Sequence, residues 1–287
     1  MARFALLSLT VSVLPKAVTA RVLTGSQLLQ FANVAILTPA TARAGLLAIA
    51  CPIACTKLGI EGRDFDPSLL SLIVATPSAF SINAAYQRRE RALNSLAQFR
   101  SAAYMLDLAF QRWAQDDLRR DAKAELNSVY DNLVRMCTDA EASDKRAGEA
   151  AMLSQIDALG ASIERMRRDP NGFSREGTEA LATIFISDER LLVQAADQVR
   201  TIAFTQTPVL LRAFTVGGSA VFPILFAPYF AVTAEQPDRA AWAAYLVSFL
   251  FATTISSLVR IQEALEDPFD GDAVDDIDLT RFAPPPI

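Results

Sequence analysis

The chain contains no histidine. That absence removes imidazole acid/base catalysis, the Ser-His-Asp and Cys-His nucleophile systems, and His-ligated zinc. Cysteine is scarce: Cys51, Cys55 and Cys137 among 287 residues. This does not make a disulfide framework. Cys51 and Cys55 lie four apart, share one helix face, and read as small buried apolar side chains. The one adjacent glycine pair, Gly217-Gly218, sits inside an apolar run, where it serves close helix contact or a kink rather than a phosphate loop. No nucleophile, metal or phosphate site of an enzyme emerges. The formal net charge of −5 argues against nucleic acid as a partner.

What is present is strongly segregated. The chain is 52% hydrophobic yet 21% charged, with apolar blocks at both ends and a charged block between them. Ser68 to Gln87 carries no formal charge, nor does the run between Arg212 and Glu235, nor Ala240 to Val259. About 20 residues at ~1.5 Å rise cross a hydrocarbon core of ~30 Å, so each run is long enough to span a membrane. The last two form a hairpin around the polar turn 235–239. Upstream, Arg21 and Lys57 bracket an apolar stretch broken by Arg43. One span over roughly 27–56 fits there, with Arg43 snorkelling, paired or turned to the protein interior. Residues 1–26 read as a targeting signal, with Arg3, an apolar run and the small residues of Ala17-Val18-Thr19-Ala20, or as a helix lying on the membrane surface.

The middle, 88–205, has a different texture. Leu93, Leu96, Phe99, Ala103, Leu106 and Phe110 recur at three and four, and Leu118, Leu126, Val129, Leu133 and Met136 continue less regularly, which is amphipathic helix spacing. Asp169-Pro170-Asn171-Gly172 marks a turn. The expected fold class is an all-α membrane protein with about four transmembrane helices and a large helical domain outside the bilayer. The organisation is an N-terminal segment 1–26, spans in 27–87, the helical domain 88–205, further spans in 206–260 and an acidic strap 261–287. Four spans place both chain ends and the helical domain on one side. Arg88, Arg89, Arg91 and Arg260 follow the second and fourth spans on that side, so positive-inside bias makes it the cytoplasm or a plastid stroma, and the membrane a cell membrane or a thylakoid.

Three local patterns carry a family resemblance. They are Phe80-Ser81-Ile82-Asn83-Ala84-Ala85-Tyr86-Gln87-Arg88 in the second run, Thr207-Pro208-Val209 before the third, and Glu266-Asp267-Pro268-Phe269 after the fourth. Their order, spacing and topology resemble the bestrophin anion-channel family, in particular its bacterial and plastid branches, over roughly 65–280. The resemblance implies a homopentamer around a central pore that passes chloride, bicarbonate and similar anions. It places Leu72, Thr76 and Phe80 at a narrow neck and Val209 at the pore exit. Thr76 departs from the apolar residue usual in the family, and Leu210 replaces the second proline of the family's exit motif. Without the resemblance, Leu72, Thr76 and Phe80 read as helix-packing residues. Arg212 near the exit serves equally as an attractor of anions or as the partner of an acid.

After the last span, Asp270, Asp272, Asp275, Asp276 and Asp278 crowd together. Animal bestrophins bind calcium in such a run, and alignment on Pro268-Phe269 makes Asp272 and Asp275 the matching carboxylates for a Ca²⁺ ion, whose hard-oxygen preference they suit. The alternative is a solvated acidic strap paired with arginines of the helical domain. The competing function class is a non-conducting structural or regulatory membrane subunit of a larger assembly.

Overall fold

A computed structural model of the chain describes residues 38–60, 67–168, 178–205, 208–236, 240–271 and 275–284. The N-terminal segment, the turn at Asp169-Pro170-Asn171-Gly172 and Asp272 lie outside the described residues. Eight α-helices follow one another within them: α1 Pro39–Leu58, α2 Pro67–Trp113, α3 Asp116–Thr138, α4 Ala142–Arg168, α5 Thr178–Phe204, α6 Val209–Leu225, α7 Ala227–Ala234 and α8 Ala241–Glu266. A 3₁₀ turn at Leu279–Phe282 closes the strap. The all-α expectation holds.

Three helical stretches among the described residues are long and apolar enough to cross a membrane: α1, the pair α6–α7 over Val209–Ala234, and α8. The uncharged run Ser68–Gln87 forms the first part of α2, which continues for 47 residues into the charged domain. At ~1.5 Å per residue that is about 70 Å, enough to cross a bilayer and project beyond it. The first span begins at Pro39, and the part expected over 27–37 lies outside the described residues. Thr38 caps it, accepting from the Thr41 N–H, and Gly59 ends it in the left-handed region at φ 64. Arg43 is exposed and its Nε donates to the Pro39 carbonyl, in the first turn of the helix.

The contact between α1 and α8 is built from small residues at helical spacing. Thr41, Ala44, Gly45, Ala48 and Pro52 are buried on α1, and Ala244, Ser248, Ala252 and Ser256 on α8. A Cβ on Gly45 would stand 2.6 Å from the Phe249 ring, so the close approach requires glycine. Pro52 has no N–H, which leaves the Ala48 carbonyl without its helical donor. The Ser248 hydroxyl of α8 donates to that carbonyl at 2.7 Å in a buried position. Higher up the same seam, the hydroxyls of Ser256 and Thr41 are 3.3 Å apart.

Beyond the membrane, α2 packs on α5 and α3 packs on α4. The periodic apolar residues read from sequence meet in this core: Leu96, Phe99, Ala103, Leu106 and Phe110 from α2, and Leu118, Leu126, Val129, Leu133 and Met136 from α3, are all buried, with Leu93 at the edge. Phe110 and Phe185 meet edge to face at 4.8 Å. The strap supplies Phe269, Ile277 and Leu279 to the same core. It is therefore not simply a solvated acidic tail: its apolar residues point in, while Asp270, Asp275 and Asp278 are exposed.

Two outcomes follow. Ser248→Ala should lower the thermal midpoint in detergent by roughly 2 °C, because a carbonyl in an apolar seam loses its donor, a loss of about 1 kcal/mol. Ser257→Ala should leave it unchanged, since that hydroxyl only bonds back to the Thr253 carbonyl of its own helix. The second concerns Glu189 of α5, whose carboxyl is raised by burial and by Asp157. A carboxyl raised in the fold stabilises it only at low pH, and that contribution is lost as pH rises through the folded value. Glu189→Gln should therefore raise the midpoint near pH ~7.5 by roughly 2 °C, and the difference should vanish near pH ~4. Thermal unfolding followed by circular dichroism across pH reads both.

Candidate functional site: the exposed stripe of α2 and the strap junction

Leu72, Thr76 and Phe80 stand four apart on α2 and all three are exposed, Leu72 at 63% and Phe80 at 67%. Four residues advance a helix by about 400°, so they form one slowly drifting stripe, which Ala84 continues. The opposite face, with Ser78, Ser81 and Ala85, is buried. The helix is thus held by its small-residue side and presents its large apolar residues outward. Around the stripe, Ala75, Thr76, Ala79, Phe80 and Asn83 form a shallow groove.

Val209 begins α6 and is 76% exposed, with Leu210 beside it at 86%. Pro208 precedes them as the N-cap. The residues singled out for neck and exit therefore share a property that sequence spacing alone did not give: within one subunit they touch little. Arg212 lies one turn on, its Nε 3.6 Å from Oε2 of buried Glu266. Of the two roles read for Arg212, the partner of an acid is the one this geometry makes.

Glu266 and Asp267 end α8 at a junction rich in cations. Lys145 approaches Asp267 at 4.0 Å, and Arg88 lies within electrostatic reach of both acids. Arg88 also donates through Nη2 to the Ile202 carbonyl, near the end of α5. The last carbonyls of a helix lack an intrahelical donor, and a guanidinium suits that negative end. The Glu-Asp-Pro-Phe motif accordingly serves two purposes: its acids sit at the junction, and Phe269 anchors the strap in the core.

The strap folds back along the domain. The Ile277 N–H donates to the Pro268 carbonyl at 2.9 Å, and the Tyr130 hydroxyl donates to the Leu279 carbonyl at 2.7 Å. Arg89 Nε donates to the Asp275 carbonyl at 2.7 Å. Asp278 accepts from the Thr280 hydroxyl and from Arg281 Nε, with the Thr280 N–H adding to them, and these bonds hold its carboxyl below the usual range. Among the described residues no cluster of three or more acidic, cysteine or histidine side chains is placed to hold a metal. The Asp275 carbonyl is engaged by Arg89 while the residue itself is exposed, and Asp272, the other candidate calcium ligand, lies outside the described residues.

Superposition on solved structures gives the architecture its parallel. A bacterial bestrophin homologue from Klebsiella pneumoniae matches with TM-score 0.65 at 18% identity, over 85% of this chain and 93% of that one. One point variant of the Klebsiella protein gives 0.67 at 18%, over 85% and 93%, and another gives 0.65 at 19%, over 85% and 95%. The fold is that of the bestrophins. No protein-family model matches the chain, and no curated protein matches it in sequence. At this identity the likeness fixes the path of the chain, not the chemistry of any residue.

Sequence reading missed two features of this structure. The Ser248 bond to Ala48 was signalled by Pro52 inside an apolar run opposite a serine-bearing one. The seating of Arg88 on Ile202 was not legible, since the partner is a backbone atom far along the chain. The strap contact is open to test: with Arg89 and Asp275 joined, calcium titrated from zero to about 1 mM should leave the thermal midpoint unchanged. Arg89→Ala should lower it by about 1–2 °C through loss of that bond.

Proposed function

We propose that this chain is the subunit of a homopentameric anion channel, with the α2 stripe lining a central pore through which chloride, bicarbonate or similar anions pass down their gradient. The observation that carries this reading is the outward presentation of Leu72, Thr76 and Phe80 on a helix whose other face is buried. In a fivefold ring those residues form successive constrictions, and Val209 forms a further one. The bestrophin fold supports the placement.

Such a neck works without a fixed charge. A ring of leucine or phenylalanine side chains excludes water until the pore widens or an ion brings its own hydration, which makes it a dewetting gate. Phenylalanine edges carry partial positive charge and favour an anion passing among them. Thr76 puts hydroxyls between the two apolar rings, which lowers the barrier to wetting. The neck is thus a leakier barrier than one built from apolar residues alone. Positive charge at the junction raises local anion concentration on the helical-domain side. The alternative class, a non-conducting structural or regulatory subunit, is separated from this one by flux.

Reconstitution in liposomes with a chloride-flux readout and particle symmetry by electron microscopy tests the reading. The expected result is fivefold particles and measurable flux. Thr76→Ile should reduce single-channel conductance or open probability several-fold, the effect of about 1 kcal/mol added to a barrier. Fivefold particles without flux would favour the non-conducting class. Particles in which the α2 stripe faces lipid or is buried between helices of one subunit would remove the pore.

A further inference from the structure

A second feature lies between the neck stripe and the helical domain. Between α2 and α5 lies an open cavity of about 520 Å³, lined from Ala84 to Ser95 on one side and from Gln198 to Thr205 on the other, that reaches Pro208. That is many times the volume of a chloride ion. Its polar lining comes from Arg88, Arg91, Asn94 and Ser95 of α2 and from Gln198 and Thr201 of α5. Among the described residues no carboxylate lines it. We propose that this cavity is a binding site for a small oxyanion, a carboxylate or phosphate group, held chiefly by Arg91 and the Gln198 amide.

Arg91 is the first argument. Its guanidinium makes no ion pair or hydrogen bond among the described residues. The sequence around it explains why: positions three and four away hold Gln87, Arg88, Asn94 and Ser95, and none is acidic. Most other cations nearby are committed, Arg88 to the Ile202 carbonyl, Arg89 to Asp275, Lys145 to Asp267 and Arg212 to Glu266. Glu266 and Asp267 are shared among Arg88, Lys145 and Arg212, so the junction carries an excess of positive charge that no acid lining the cavity offsets.

Preorganisation of a neutral donor is the second. Buried Ser95 has one hydroxyl proton, shared between the Arg91 carbonyl at 2.9 Å and Gln198 Oε1 at 3.2 Å. With Oε1 set beside Ser95, Gln198 turns its amide NH₂ away from that hydroxyl. A fixed amide donor and an uncommitted planar guanidinium make an arrangement that a planar or tetrahedral oxyanion satisfies with two or more bonds, and a spherical halide with fewer. The site is separate from the neck residues, and it would bind whether or not the pore conducts.

The experiment uses the full chain in detergent and isothermal titration calorimetry with sodium succinate, with sodium phosphate, and with sodium chloride at matched ionic strength. Saturable binding of succinate or phosphate with a Kd of about 1 mM, and no saturable heat from chloride at that concentration, is the expected result. Succinate alone would mark a carboxylate site, phosphate alone a phosphate site, and both a site that reads charge and fork geometry. Arg91→Gln should weaken binding roughly tenfold or more, the size of effect expected for a lost hydrogen bond to a charged group. Gln198→Glu, which adds a like charge to the lining, should abolish it, and serves if the first variant does not fold. Arg119→Gln, on α3 and away from the cavity, should bind as the wild type. Absence of saturable binding of both oxyanions to folded wild-type protein, unaltered binding in Arg91→Gln or Gln198→Glu, or equal binding of chloride would overturn the proposal.

Discussion

A backbone in hydrocarbon has no water to bond, so every N–H and C=O that the membrane covers must find its partner within the protein. Much of this structure answers that constraint. The helix α1 opens on Thr38 and closes on Gly59, each of which supplies or permits a terminal bond. Where Pro52 removes a donor, Ser248 of another helix replaces it. Thr233, Thr253 and Ser257 bond back to carbonyls of their own helices, which satisfies those three hydroxyls within the apolar runs. The long helix α2 is the same solution extended. By not ending at the bilayer surface, it avoids placing a set of orphan carbonyls there and carries the apolar run on into the helical domain.

Where helices do end, ions take over. The last carbonyls of α5 meet Arg88, and the end of α8 brings Glu266 and Asp267 against Arg88, Lys145 and Arg212. Single exposed ion pairs contribute little. Here Glu266 is buried, so its pairing with Arg212 is a condition of its burial rather than an added source of stability. The junction joins elements far apart in sequence, α2, α4, α5, α6, α8 and the strap, and its chemistry sets how the spans are held against the helical domain.

Much of this was legible beforehand because the signals were local. Two uncharged runs located the spans of α6–α7 and α8, and spacing at three and four located the domain core from Leu96 to Met136. What was not legible depended on tertiary partners. The acidic run invited a reading by charge, yet Phe269, Ile277 and Leu279 seat it in the core, and alternating apolar residues among aspartates were too few to announce this. Arg88, Arg89 and Arg91 look alike in sequence and count alike toward topology. Only the fold separates them into a helix cap, a strap anchor and an unpaired cation.

The outward faces of the membrane helices differ in a way that bears on what each touches. Beyond Val209 and Leu210, the exposed large residues are Phe214, Val216, Val221, Ile224 and Leu225 on α6, and Trp242, Leu246, Val247 and Leu250 on α8. Such faces suit lipid tails, with Trp242 near the end of its helix, where an interfacial ring belongs. The face of α2 is mixed: Leu72 and Phe80 stand among exposed Thr76 and Asn83. An amide facing hydrocarbon would leave its donors and acceptor unbonded, at several kcal/mol. Lipid is therefore a poor neighbour for this stripe. Water or another protein surface can bond Asn83 and Thr76 while Leu72 and Phe80 are shielded by their like. The proposed fivefold arrangement would meet both needs with one geometry, because each stripe would lie close to its copies around an axis that water can reach from either end.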